Sequence, residues 1–148
     1  MKLVLFPDER LTTKCEPVKK VTPKLKQLAK DMYIFMKANG GVGLSANQIG
    51  QNIRLFVADD NGSPLYVFNP QILIRSRPKY LQEGCLSFPG ETQRVKRHQQ
   101  TTIKYLDENG QSKCRTFRQL TAQIVAHEID HLNGITFHDR VKEQTKGE

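Results

Sequence analysis

Tryptophan is absent from this 148-residue chain, and cysteine is scarce: Cys15, Cys85 and Cys114 are odd in number and widely spaced. Three such thiols cannot form the disulfide framework of a small secreted domain, so a reducing, cytoplasmic location is expected. Cys15 and Cys114 read as small packing residues. Long apolar runs are also missing. No stretch approaches the roughly 18 residues of a membrane-spanning helix, and Met1-Lys2-Leu3-Val4-Leu5-Phe6-Pro7-Asp8 turns charged before it could form a signal core. No membrane partner is therefore expected. Repeats, low-complexity segments and long linkers are lacking too, so residues 1–148 read as one domain, long enough to bury a core.

Acid is in short supply relative to base. Against 15 Asp and Glu stand 23 Lys and Arg, a formal net charge of +8. Lys14, Lys19, Lys20, Lys24, Lys26, Lys30 and Lys37 gather near the start, and Arg94, Lys96 and Arg97 form a second group. Such a surface favours polyanions, RNA included. Because no nucleic-acid module is visible, a solvated, solubility-giving face is the competing reading.

Helical spacing is clear in one early segment. Thr22 suits an N-cap and Pro23 a first turn. Leu25, Leu28, Ala29, Met32, Phe35 and Met36 then recur on one face until Asn39-Gly40-Gly41. The middle reads as short strands at 53–58, 65–68, 72–74, 101–106 and 113–117. Asp59-Asp60-Asn61-Gly62 and Asp107-Glu108-Asn109-Gly110 are hairpin-like turns between them. Thr121 is the predicted cap of a second helix that stops near Asn133-Gly134. Without a βαβ rhythm the fold class is α+β: antiparallel or mixed sheets packed around the second helix, plus the N-terminal one.

That second helix carries His127-Glu128-Ile129-Asp130-His131. Residues four apart on a helix face the same way, so both imidazoles can reach one ion. Glu128 stands beside them as a general base for its water. A catalytic site then needs a third ligand. A metzincin-type protease would place a histidine at 137, but that residue is Phe137, with His138 one step out of register. A thermolysin-like glutamate would need more chain than follows. A thiolate remains, and Cys85 in Glu83-Gly84-Cys85-Leu86-Ser87 is the strongest candidate. Gly84 permits close backbone approach there, and the following N–H can point inward.

Gly41 to Gln48, Glu83 to Ser87 and His127 to His131 resemble, in this order, the GxGLAAxQ, EGCLS and HExDH motifs of the peptide deformylase family. The similarity extends to Pro7-Asp8-Glu9-Arg10-Leu11 and to His131-Leu132-Asn133-Gly134. It implies Cys85, His127 and His131 as ligands of one divalent metal, Fe²⁺ by family habit, with Zn²⁺, Ni²⁺ or Co²⁺ as substitutes. It further implies Glu128 as base and then acid, with the Gln48 amide and the Leu86 backbone N–H holding the formyl oxygen. The implied reaction removes formate from the N-formylmethionine end of nascent polypeptides. A monomer in transient contact with the ribosome is part of the same expectation.

The methionine pocket should be apolar. Val42 reads as a wall; Leu81, Leu120 and Ile124 are further candidates, each equally explicable as core. Gly43 would let the loop approach the peptide. Glu83 and Asp130 would orient a ligand imidazole, with a surface salt bridge as the alternative. Two departures stand out: Ser45 replaces the family's usual alanine, and the polar tail after Gly134 leaves a C-terminal helix missing or very short. Two other classes compete, an HExxH metalloprotease and an inactive ribosome-binding relative. Phe137 counts against the first, and the intact Gln48, Cys85, His127, Glu128 and His131 against the second.

Overall fold

The structure, a computed structural model, describes residues 1–146. Helix α1 spans Pro23–Ala38, with the Thr22 hydroxyl accepting from the Leu25 N–H at 3.2 Å as the predicted cap. Strands β1 (Gly43–Ser45), β2 (Leu55–Asp60), β3 (Ser63–Gly84), β4 (Thr92–Leu106) and β5 (Ser112–Arg118) follow. They form one five-stranded sheet in sequence order, every neighbouring pair antiparallel. The α+β class stands, and of the two expected pairings the sheet is antiparallel; among the described residues parallel pairing is confined to an isolated bridge, Glu16 to Ile53. Helices α2 (Gln119–Leu132) and α3 (Phe137–Lys146) complete the chain.

The unbroken run Leu55-Phe56-Val57-Ala58 is explained by two buried faces. Leu55 and Val57 pack with Ala29, Met32 and Met36 of α1. Phe56 and Ala58 point the other way, into a core with Ala122, Val125, Ile129 and Leu132 of α2. The sheet is thus sandwiched between the two long helices, and α2 is buried over most of its length.

Three expectations need correcting. First, the two short strands at 65–68 and 72–74 are parts of the 22-residue β3. Register shifts at 68–71 and 72–74 absorb Asn69-Pro70 and Leu73 as bulges. Second, α2 begins at Gln119, and Thr121 lies inside it, its hydroxyl donating to Asp60 Oδ1 at 3.3 Å rather than capping. Third, Cys114 is exposed on β5, while Cys15 is buried as expected. The C-terminal helix is present but short, ten residues, and the end of the polar tail, Gly147-Glu148, falls outside the described residues.

Candidate metal and catalytic centre

α2 turns His127 and His131 towards one point, with their Nε2 atoms 3.0 Å apart. Cys85 sits just past the end of β3 in a turn closed by the Phe88 N–H on the Cys85 carbonyl, and its Sγ lies 3.3 Å from His131 Nε2. All three ligand atoms fall within 4.8 Å of one another. Glu83 Oε1 lies 2.8 Å from His127 Nδ1, which holds a proton on Nδ1 and turns Nε2 towards the cluster.

Burial opposes charge on both rings. At His127 it is outweighed by hydrogen bonding to Cys85 and Glu83 and by the charge of Glu128, which hold the pKa well above the usual range. Burial and the neighbouring His127 charge hold His131 well below it. Two imidazole nitrogens and a sulfur converge on one buried point, where His127, held protonated while no ion is bound, would give up its Nε2 proton to a cation. This N₂S donor set therefore fits a divalent metal with an open fourth position.

Glu83 is buried and holds more than the histidine. Arg97 grips it through Nε at 2.6 Å and Nη2 at 3.0 Å, while Arg97 Nη1 donates to Asp130 Oδ2 at 2.6 Å. Arg140 of α3 clasps the same Asp130 at 2.7 and 2.9 Å. Glu83 thus orients the His127 imidazole. Asp130 does not: it joins a buried ion network instead of touching either ring. Arg97 is only 4% exposed, which corrects its assignment to a solvated basic face. The missed signal is period two: in β4, Val95 and Arg97 share the inward face, and Arg94 and Lys96 the outward one.

Ser45 proves to be a positioning residue. Its N–H and hydroxyl both lie 3.0 Å from Gln48 Oε1, the hydroxyl also lying 2.7 Å from Asn47 Oδ1. A backbone N–H can only donate, so the oxygen end of the Gln48 amide must face Ser45. The Nε2 end therefore points at the centre, 3.0 Å from Ser87 Oγ and 3.6 Å from Cys85 Sγ. Ser87, unremarked within its motif, anchors this end by donating to the Val4 carbonyl at 2.7 Å. The Leu86 N–H has no hydrogen-bond partner among the described residues.

Glu128 is buried beside these donors, and its Oε1 lacks a partner among the described residues. Burial pushes its carboxyl up to about 7. Gly43 makes room for it: a Cβ there would stand 2.5 Å from Glu128 Oε2 and 2.9 Å from Ile124 Cγ2.

The centre opens into a cavity of about 700 Å³. Val42, Gly43, Gly84, Leu120 and Ile124 all line it, as do Gln48, Cys85, Leu86, His127 and Glu128. Val42 and Leu120 are about half or more exposed, which argues for walls rather than core, while Ile124 serves as both. Leu81 is not among the lining residues and pairs with Val95 across the β3–β4 ribbon. Gly84 is uncrowded, a Cβ there meeting only the Glu91 carbonyl at 3.9 Å, so no close approach within the protein explains it. The two residues weighed for a protease lie elsewhere: Phe137 stacks edge-on to His127, and His138 is hydrogen-bonded to Glu91.

The polypeptide deformylase family model matches residues 1–147. The chain is 41% identical over 138 residues to the peptide deformylase of Dictyoglomus thermophilum, covering 93% of this chain and 90% of that one. To the peptide deformylase of Treponema pallidum it is 38% identical over 147 residues, with 99% and 91% covered. Among solved structures, peptide deformylase from Thermotoga maritima superposes with a TM-score of 0.91 at 34% identity, covering 94% of this chain and 95% of that one. The Ehrlichia chaffeensis enzyme in complex with actinonin gives 0.91 at 34% identity, with 100% and 97% covered.

Proposed function

The chain belongs to the peptide deformylase family, hydrolases of N-formylmethionyl peptides, and we propose that it removes formate from nascent polypeptides at the Cys85–His127–His131 centre. The observation that carries this reading is the convergence of two imidazoles and a sulfur beside a buried, partnerless carboxylate oxygen at the floor of an open cavity. Cys85 Sγ, His127 Nε2 and His131 Nε2 would hold the divalent metal. When bound, such a metal polarises the formyl carbonyl and lowers the pKa of a coordinated water. Fe²⁺ is the proposed native ion on the family resemblance; the N₂S set itself also accepts zinc, nickel or cobalt.

Glu128 takes the proton of the attacking water and then delivers it to the leaving amine, which would depart poorly as an unprotonated amide ion. Its elevated pKa suits both steps, since the group must hold a proton between them. Gln48 Nε2 and the Leu86 N–H donate to the formyl oxygen as it gains negative charge. One such aimed donor is worth about 10²–10³ in rate. Val42, Leu120 and Ile124 line the methionine side chain's pocket, and Gly43 and Gly84 border the peptide. Action in the cytoplasm as a monomer, with transient ribosome contact through the basic surface, completes the proposal. No helix is long and apolar enough to cross a membrane.

The test is anaerobic, Fe²⁺-loaded protein assayed for formate release from formyl-Met-Ala-Ser, with acetyl-Met-Ala-Ser and Glu128→Ala as controls. Release from the formyl peptide alone is expected, with kcat falling about 10²–10⁴-fold in the variant while metal content stays the same. A metal-loaded wild-type protein that released no formate would overturn the substrate assignment.

A further inference from the structure

The two faces of the β3–β4 ribbon differ in kind. Directly opposed residues of an antiparallel pair share a face. Leu81 and Val95 are such a pair, and with Arg97 they turn towards α2 and α3, where Val95 packs on Phe137 and Arg97 meets Asp130. On the other face Tyr80 stands opposite Lys96, Pro78 opposite His98 and Gln82 opposite Arg94. The Arg94 guanidinium lies over the Tyr80 ring, 4.7 Å from its centroid, so these side chains do meet there. The same face continues onto β5, where Gln100 opposes Arg118 and the Thr102 and Thr116 hydroxyls lie 2.7 Å apart. Tyr80 is 45% and Ile74 64% exposed, which leaves this face open to solvent.

Its charge is of one sign. None of these positions holds Asp or Glu, and Arg94, Lys96 and Arg118 have no carboxylate within 4.0 Å among the described residues. Elsewhere Arg10, Lys37, Lys113 and Arg115 each stand beside an aspartate. A face shaped only for solubility would mix both signs in the same way. Here an aromatic ring and a guanidinium plane lie among unpaired cations, the composition of a platform for single-stranded nucleic acid.

We propose that this face docks a single strand of RNA, with a base stacked on the Tyr80–Arg94 pair and phosphates against Lys96 and Arg118. Arg94 offers a planar surface that stacks as well as a charge, whereas Lys96 supplies a compact point charge. Burial first, and then the charges of Arg75, Lys96 and Arg97, hold His98 below its usual pKa, so it adds a neutral ring beside them. The choice of RNA rests on the deformylase reading, which sets the chain to work beside the RNA-rich particle that makes its substrates. Tyr80, Arg94, Lys96 and Arg118 do not line the catalytic cavity, so binding and catalysis can be measured separately.

The experiment is fluorescence anisotropy of a labelled, unstructured RNA of about twelve nucleotides, titrated with metal-loaded protein between about 50 and 200 mM salt. Saturable binding is expected. Tyr80→Ala should weaken it about tenfold, the scale of one lost stacked base, without changing the salt dependence. Lys96→Ala/Arg118→Ala should also weaken it and make the slope of log affinity against log salt shallower by about 1.4, or about 0.7 for each phosphate. Lys14→Ala/Lys30→Ala removes the same charge from exposed positions outside this face and should change neither. All three variants should release formate as the wild type does. Equal weakening in the two double variants would overturn the proposal in favour of diffuse charge, and an unchanged Tyr80→Ala protein would overturn the stacking platform. A chain that releases formate but binds no RNA would sink this surface and leave the activity standing. RNA binding with the expected variant pattern, in a chain that releases no formate, would uphold the surface and sink only the activity.

Discussion

Gln48 can polarise a carbonyl only because something else fixes which end of its amide faces inward. The Ser45 N–H does so, and the Ser45 hydroxyl adds to it only in part, because its single proton is shared with Asn47 Oδ1 at 2.7 Å. Removing the hydroxyl leaves the backbone donor in place. Ser45→Ala should therefore lower kcat by less than about tenfold, because one net hydrogen bond contributes only about 0.5–1.5 kcal/mol. Gln48→Leu removes the inward donor itself and should cost about 10²–10³ in kcat. Steady-state kinetics with metal analysis separates the two, since neither variant loses a ligand. An equal, large loss in both would mean that Ser45 acts by more than orientation.

At the scale of elements, β3, β4, α2 and α3 are joined by a single ion network, Glu83–Arg97–Asp130–Arg140. Arg97→Met should destabilise the protein by about 3–5 kcal/mol, because it strips a partner from two buried carboxylates. Urea denaturation of the metal-free protein reads this directly, and an unshifted midpoint would refute it. Glu83 also makes stability depend on pH. Burial alone would raise its pKa, but hydrogen bonds from His127 and Arg97 prevail and hold it at about 2, against 4.5 for the ordinary carboxyl. A carboxyl depressed in the folded state stabilises it fully above pH 4.5, and the contribution fades as pH falls towards 2. It amounts to roughly 3 kcal/mol. Glu83→Gln should accordingly flatten the fall in urea midpoint over that window. The cap of α1, the hairpin turns and the HExxH face were legible in the sequence because each is a local pattern. The outer half of β3 and the start of β4 were not, because they form a polar ribbon whose residues 75–80 are mostly exposed and lack hydrophobic alternation. Overlooking that ribbon also hid Arg97, whose inward direction is visible only once residue 95 is known to lie in a strand. The onset of α2 was misplaced because Gln119 enters it at φ 56, a conformation for which glutamine gives no signal.

For the molecule as a whole, a metal at the proposed centre would tie distant parts together. Chelation should lower the thermal midpoint: free metal at 100 times Kd contributes about 2.7 kcal/mol. That corresponds to roughly 5–10 °C for a domain of this size. Scanning calorimetry with and without chelator checks this, and coincident midpoints would count against a folded-state metal site. The tie also has a direction in time. The proposed ligands come from positions 85, 127 and 131, so the sulfur is synthesised 42 residues (127 − 85) ahead of the first of their imidazoles. At about 5–20 residues per second that is a gap of roughly 2–8 s. During every round of its own synthesis, then, the chain carries Cys85 as a bare thiol, and oxidant arriving in that interval meets sulfur that no metal yet shields.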